Sequence, residues 1–361
     1  MGRAMSAAWA NRIIHLLQLA ALLALLTPMA ALAQRATPGP VTPIRARDAP
    51  APVTFPKDDG PHDVGIEWWY YTGHLFAPDG RLFGFEFVIF KGREQGVGGV
   101  ASHFAIADNA AGQFRYAEKR TGLAGVVGQR AAMDLTIDGW TMLGQNGDDR
   151  LRAALPDGAG YAIDLQLTSR KPPALHDGDG YIAYGDGTAS YYYSRTDLAV
   201  TGQLEADGKT MPVTGQAWMD HQWGNFKTFE TGGWDWFALD LNDDRQIMLY
   251  LIRNQRRDVV LVDGTVVAPD GGLTVLGASD FTVRQFGSWT SPTSHTTYPS
   301  GWLIDIPGER LRLAVVPTMP DQELDTRQST GVIYWEGEAT VAGMAAGRPV
   351  NGLAYVELTG Y

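Results

Sequence analysis

Cysteine is absent from all 361 residues, which excludes disulfides and the lipid-modified cysteine of a bacterial lipoprotein. Dense runs of like charge are also missing. The 40 acidic and 29 basic residues give a formal charge of −11, so nucleic acid and anionic membrane surfaces are poor partners. The seven histidines (His15, His62, His74, His103, His176, His221 and His295) contain no i, i+2 or i, i+4 pair, and no metal site is expected from their spacing. A nucleophile elbow, a phosphate-binding glycine loop and a dinucleotide fingerprint are all lacking, and GVGG at 96–99 reads as a turn. No cofactor is therefore expected. After Ala33 there is no amphipathic stretch of helical length.

What is present is a large apolar and aromatic content: 45% hydrophobic against 19% charged residues, with 11 Trp, 14 Tyr and 13 Phe. This is the composition of a packed globular protein. At the N-terminus, Arg3 and Arg12 precede an apolar run from Leu16 to Leu26, and Ala31-Leu32-Ala33 supplies a small-x-small cleavage pattern. The run contains Gln18, is followed by Pro28 and is shorter than the roughly 20 apolar residues needed to span a bilayer. Residues 1–33 are read as a signal peptide cleaved after Ala33, and the product as periplasmic or secreted. No twin-arginine pair precedes the run, which points to export in the unfolded state. Residues 34–61 hold seven prolines and read as an extended leader.

From Glu67 onward, short alternating runs are separated by turn signals: APDGR at 77–81, ADG at 206–208, NDD at 242–244, VDG at 262–264 and PDGG at 269–272. Segments such as Leu82 to Phe90, Met133 to Ile137, Tyr161 to Leu167 and Leu311 to Val316 alternate and favour branched or aromatic residues. The fold class is all-β. Closing each sheet removes its edges, and the length fits two consecutive antiparallel β-barrels, over 62–226 and 227–361. A weak internal echo agrees: EWWYY opens one half at Glu67 and GWDWF the other at Gly233.

The densest polar and aromatic constellation is GQAWMDHQWGN, Gly215 to Asn225. On a strand, Met219, His221 and Trp223 share one face, and Trp218, Asp220 and Gln222 the other. If His221 and Trp223 face a barrel interior, they place an imidazole and an indole beside a bound apolar molecule, suited to proton delivery or orientation. Alternatively, Asp220 and His221 are satisfied core groups. In EWWYYTGH, Glu67, Trp69 and Tyr71 share a face; Glu67 at the head of so aromatic a strand calls for a partner, with Arg253 or a backbone turn as candidates. Tyr192, within Tyr191-Tyr192-Tyr193-Ser194, either lines a pocket or covers a core edge. His103 is a lone histidine whose default reading is structural.

EWWYYTGHL, ASHFAI, YYYS, GQAWMDHQWGNF, GWDWFALDL, YWEGEATV and AYVELTGY together resemble the AttH and carotenoid 1,2-hydratase (CrtC) group. The similarity runs from Glu67 to Tyr361, and DHQWG is its most specific element. The resemblance implies two packed lipocalin-like barrels with a hydrophobic-ligand site at the first barrel or the junction. The group is mixed. Some members add water to an acyclic carotenoid without a cofactor, fungal relatives guide cycloadditions, and secreted members are described as hydrolases or as partners of ABC transporters. In the hydratases a His and Trp of the DHxW block, matching His221 and Trp223, and a later Tyr and Asp are tied to activity. At Tyr250 this chain reads MLYLIR with no adjacent carboxylate, leaving Asp235 or Asp220 to supply one.

Two functions follow as expectations. One is an exported protein holding a hydrophobic lipid or isoprenoid, with an ABC transporter permease as partner, in which Glu67, Trp69, Tyr71, His103, Tyr192, Asp235 and Trp236 contact the ligand. The other is a cofactor-independent hydro-lyase using His221, Trp223, Asp220 and Tyr250. Hydrolysis has no nucleophile and base pair to support it in the sequence.

Overall fold

The structure, a computed structural model, describes residues 50–94, 97–123, 132–156, 160–184, 187–226 and 232–361. The signal peptide expected over residues 1–33, and the leader as far as residue 49, lie outside the described residues. The described chain is antiparallel strand almost throughout, as the alternation predicts, with 3-10 turns such as Lys57–Asp59 and His176–Gly178 between strands.

Two large sheets account for all the described strands except the short pair Trp289–Thr290 and Thr297–Tyr298. The first runs in the order Gln113–Gly122, Val97–Asp108, Leu82–Glu94, Ile66–Phe76, Lys209–Asn225, Ala189–Ala206, Ala162–Ser169, Asp148–Ala154, Trp140–Gln145, Met133–Ile137. It curls until its end strands approach. Lys119 on one edge donates to the Asp138 carbonyl beside the other and lies 4.3 Å from the Trp140 ring. The second runs Leu273–Gly277, Val259–Val267, Gln246–Arg253, Trp234–Leu241, Arg348–Thr359, Val332–Ala345, Leu311–Pro317, Trp302–Ile306, Thr282–Gln285. In each sheet the opening strand lies between its successor and the last strand of its unit, so the two aromatic openings occupy equivalent places.

Alternation sorts the side chains into three apolar layers. Trp69, Tyr71, Phe83, Phe85, Phe87 and Phe104 help fill the first barrel. Phe237, Trp302 and Trp335 anchor the interior of the second. The third layer joins outer faces: Tyr70, Val88, Tyr192 and Trp218 of the first barrel meet Trp236, Met248, Tyr250 and Tyr355 of the second. Strands buried on both faces read as near-continuous apolar runs, which is why WWYY and WDWFAL carry so little polarity. Gly84 marks a close approach of the two faces. A Cβ there would stand 2.5 Å from the Tyr355 hydroxyl and 2.9 Å from Glu338 Cβ, so only glycine lets the faces meet.

Two expectations change. Residues 50–61, read as extended leader, pack onto the first barrel: Val53 and Phe55 join its core, and Asp58 and Asp59 are buried. The proline-rich composition hid this, because the binding is polar. Asp59 accepts hydrogen bonds from the Tyr193 hydroxyl (2.8 Å), Arg195 (2.9 Å) and the Asn146 amide (2.6 Å), and its carbonyl accepts from the Trp69 indole (3.0 Å). VDG at 262–264, read as a turn, lies inside strand Val259–Val267. Gly264 is there for space, since a Cβ would come within 2.6 Å of the Leu249 side chain.

The Asp59 knot yields a prediction. Asp59→Ala leaves the buried Arg195 guanidinium without its carboxylate, at a cost of about 3–5 kcal/mol. Urea unfolding of the variant should show a correspondingly lower midpoint, and an unchanged midpoint would refute the role given to this segment.

Candidate active site

A cavity of about 600 Å³ lies between the barrels, within the range of small-molecule sites. Its walls are mainly aromatic and aliphatic: Trp68, Tyr70 and Phe90 from the first barrel face Trp234, Trp236 and Ile252 from the second. Among its described lining residues there is no lysine or arginine, while Glu86, Asp220 and Glu357 all reach it. The site is built on the outer faces of both sheets; the barrel interiors are packed.

Asp220 is the hub of one wall. The Tyr192 hydroxyl donates to its Oδ2 (2.5 Å), while the Trp218 indole (2.6 Å) and the Ser194 hydroxyl donate to Oδ1. The Trp236 indole in turn donates to the Tyr192 oxygen at 3.1 Å, tying this wall to the second barrel. Burial pushes the Asp220 carboxyl up to about 6, although three donors favour its ionised form. At neutral pH it is a carboxylate poised to take a proton.

Glu86 is its counterpart. The two are carried on strands flanking Ile66–Phe76 and share its outer face, with Asp220 opposite Tyr70 and Glu86 opposite Thr72. Two strand spacings and a two-residue offset along the strand separate their backbones by roughly 12 Å. Burial, reinforced by neighbouring Glu357, pushes the Glu86 carboxyl up to about 8, so it keeps its proton at pH 7. Its Oε1 lies 3.0 Å from the Tyr334 hydroxyl, and Oε2 has no hydrogen-bond partner among the described residues. Glu336 and Glu357 stand directly opposite each other on adjacent strands. Burial lifts Glu357 to about 7, and burial together with Glu357 and Glu86 lifts Glu336 well above the carboxylate range. The Tyr70 hydroxyl donates to Glu336 at 2.7 Å.

The sequence candidates divide between this cavity and the barrel interiors. Asp220, Tyr192, Trp236, Tyr250 and His103 line the cavity. His221, Trp223, Trp69 and Tyr71 lie on the opposite face, inside the first barrel, together with Glu67. Unbroken register through residues 219–225 keeps Asp220 and His221 on opposite sides of one strand. His221 Nε2 lies 3.0 Å from Glu67 Oε1, and its ring stacks on Trp69 at 4.6 Å. The interior is filled there, and His221 has no exposed surface.

Glu67 pairs with Lys91 (2.8 Å), His62 (2.7 Å) and His221, not with Arg253 as considered above, because Lys91 sits directly across the strand. Burial opposes its charge, yet hydrogen bonds from the two histidines prevail and hold the carboxylate down at about 2. The ligand atoms of His62, Glu67 and His221 lie within 4.8 Å of one another, a set able to hold a metal ion. Lys91 and the His62 amide already satisfy Glu67, however, and a cation would meet the Lys91 charge.

Asp235 ends in the second barrel, where Arg253 pairs with it (2.5 Å) and the Tyr361 hydroxyl donates to it (3.0 Å). It is not the acid beside Tyr250. Asp263, directly opposite Tyr250 on the next strand, is that group. Burial, then Asp177, raises the Asp263 carboxyl to about 7.

Other residues were not legible as functional. Glu86 is the one acid in an apolar alternating strand, LFGFEFVIF, and Glu357 lies in AYVELTGY; the sequence contains both signals, but only the docking of the barrels turns these faces toward each other. Ser194 and His176 form a hydroxyl and imidazole pair (2.6 Å) with Asp220 beside it. It is not a hydrolytic triad. Asp220 binds the serine rather than the histidine, His176 Nδ1 is engaged by Thr265 at 2.9 Å, and neither Ser194 nor His176 has exposed surface.

The shifted groups make stability depend on pH. Glu86, Glu357, Asp149 and Asp263 keep protons in the folded chain up to about 7 or about 8, where the unfolded chain has released them. Each contributes stability that is complete below the unfolded carboxyl range and is lost as pH rises through its folded value. His103 and His176, which burial lowers to about 3, act in the opposite sense only below the ordinary histidine value of about 6.5. Above that value the carboxyl effect stands alone. The urea midpoint should therefore fall between about pH 6.5 and about pH 8.5, and by less in Glu86→Gln; a flat profile would contradict the assigned protonation.

Comparison with known proteins follows this architecture. The AttH-like family model matches residues 46–361. A solved structure from Nitrosomonas europaea assigned as AttH is 30% identical, with a TM-score of 0.77, covering 86% of this chain and 98% of that one. Kievitone hydratase from Nectria haematococca is 17% identical, with a TM-score of 0.69, covering 85% and 93%. CghA with Sch210972 is 12% identical, with a TM-score of 0.55, covering 81% and 88%. The last two share the fold. No curated protein sequence matches. With the family model spanning nearly the whole described chain and the first structure agreeing over most of it, the protein belongs to the AttH-like family.

Proposed function

We propose that the protein adds water to, or removes it from, an electron-rich carbon–carbon double bond of a neutral hydrophobic molecule, without a cofactor, in the cavity between the barrels. The observation that carries this reading is the placement of two buried carboxyls on the same wall of an aromatic cavity, Glu86 with an Oε2 that has no hydrogen-bond partner among the described residues and Asp220 held by three donors, with burial raising Glu86 further than Asp220. Groups whose environments push their proton affinities apart are suited to acid and base roles. A simple carrier gains nothing from enclosing acids that are costly to desolvate.

In the hydration direction, Glu86 gives its proton to one alkene carbon, forming a C–H bond and a cation at the other. The π faces of Trp68, Tyr70 and Trp236 stabilise that cation. Water forms the C–O bond; its proton passes to the Tyr192 oxygen as the Tyr192 proton moves to Asp220. Glu86 ends ionised and Asp220 neutral, so the reaction itself consumes no proton.

The substrate class follows from charge. Without a described lysine or arginine on the wall, and with three acids on it, carboxylate and phosphate lipids are disfavoured and uncharged isoprenoids fit. The name of kievitone hydratase, which shares the fold, agrees with the reaction class. His221 and Trp223 act from behind: they fix the strand whose outer face presents Asp220 and Gln222. With export, the substrate is met outside the cytoplasm, and a transporter permease is a partner for its delivery.

The test incubates the full chain with neutral isoprenoid alkenes in water labelled with heavy oxygen. A product heavier by one labelled water is expected. Glu86→Gln should lower kcat about 10²–10⁴-fold while retaining ligand binding, whereas His221→Ala should lower the unfolding midpoint. Undiminished turnover in Glu86→Gln would overturn the assignment.

A further inference from the structure

A second feature at Glu86 is left unused by this chemistry. Tyr334 Oη lies 3.0 Å from Glu86 Oε1 and 2.7 Å from His103 Nδ1; His103 Nε2 lies 3.0 Å from Ser329 Oγ, which lies 2.5 Å from Glu118 Oε2. The first three residues are buried, while Ser329 and Glu118 are partly exposed. Glu86, His103 and Glu118 belong to the first barrel, Tyr334 and Ser329 to the second. Each of the four hydrogen bonds therefore crosses the junction. The described groups bordering Glu86 are the carboxyls Glu336 and Glu357 and the phenols Tyr70, Tyr334 and Tyr355.

We propose that Glu86, Tyr334, His103, Ser329 and Glu118 form a proton wire that reloads the cavity acid from solvent. This rests on the acid role given to Glu86 above.

Hydrogen counting supports it. Tyr334, neutral His103 and Ser329 each bring one proton, and the two end carboxyls share one more, giving one proton for each of the four gaps. With that proton on Glu86, its O–H donates to Tyr334, Tyr334 to His103 Nδ1, His103 Nε2–H to Ser329, and Ser329 to ionised Glu118. With it on Glu118, every bond reverses and none is lost. Moving one proton along each bond converts the first state into the second without losing any of the four hydrogen bonds. Burial lowers His103 to about 3, so the imidazole passes protons by exchanging tautomers instead of resting as a trapped cation. After a turnover, ionised Glu86 takes a proton through this path, and Asp220 returns its own to the water refilling the cavity. Tyr334, His103 and Ser329 thus serve as positioning and relay residues and touch no reacting carbon in this role.

The experiment needs no substrate. The full chain is taken rapidly from below to above the Glu86 titration, and loss of the carboxylic acid carbonyl stretch is followed by infrared spectroscopy, with Glu86→Gln identifying the band. His103→Gln, which keeps a polar side chain but cannot exchange tautomers, should slow that loss by roughly a hundredfold at an unchanged band position and thermal midpoint. Ser329→Ala should slow it as well, and Ser329→Thr should restore it; Ser329 is partly exposed, so these variants guard against misfolding of His103→Gln. Wild-type rates in His103→Gln and Ser329→Ala would overturn the wire, as would the absence of any band removed by Glu86→Gln. If the variants slow proton loss but no alkene is ever hydrated, the wire stands and the proposed reaction falls. If Glu86→Gln abolishes hydration while proton loss stays fast in both variants, the reaction stands and the wire falls.

Discussion

Burial of carboxyl groups between two docked β-barrels is the constraint on which the rest of the structure depends. Glu86, Asp220, Glu336 and Glu338 are all withdrawn from water, and a carboxyl so placed must be neutral, hydrogen-bonded or paired. Much of what satisfies them comes across the junction. Tyr70 of the first barrel serves Glu336 of the second, His74 serves Glu338 at 2.7 Å, and Tyr334 of the second serves Glu86 of the first. Undocking would leave these groups to ionise in water, at a cost shared between stability and chemistry. Docking is therefore what creates the acid, and Gly84 is the point where the backbone makes room for it.

The strand Lys209–Asn225 shows how one alternating segment serves two purposes. Its inward residues, His221 and Trp223, join Glu67, His62 and Lys91 in a network that closes one end of the first barrel, with His62 stacked on Trp223 at 4.1 Å. Its outward residues, Asp220 and Gln222, face the cavity, and Gln222 is held by Tyr184 and Ser190 at 2.8 Å each. A change on the inner face shifts the strand and, through it, the Asp220 carboxylate. Dependence of activity on the inner residues is thus compatible with chemistry confined to the outer face.

The strands, their alternation and the separation of Asp220 from His221 were legible in sequence, because a period of two is a local property. Which apolar face meets the other barrel was not. Both faces of Ile66–Phe76 are aromatic, and only the docking distinguishes Trp69, sealed in the first barrel, from Trp68, which lines the cavity. The carboxylate beside Tyr250 was missed for the same reason: Asp263 is opposite in register but thirteen residues away in sequence, inside a VDG triplet that looks like a turn. The partner of Glu67 lay on the neighbouring strand, and a proline-rich leader turned into a plug because one aspartate in it, Asp59, found buried partners in Tyr193 and Arg195.

The repeat of the sheet order clarifies why the junction, and neither barrel alone, carries the chemistry. Each unit opens with an acid neutralised inside by a cation from its second strand: Glu67 with Lys91, Asp235 with Arg253. Those inner pairs answer the same structural need twice. The outer faces have diverged, one presenting Glu86 and Asp220, the other Tyr334, Glu336 and Glu357. A single barrel would expose its outer acids to water, where desolvation no longer raises their proton affinity. It would also break all four links between Glu86 and Glu118, because successive members belong to opposite barrels. Acid strength, an aromatic cavity and a route for protons therefore arise together from one interface, and separating the barrels would abolish all three.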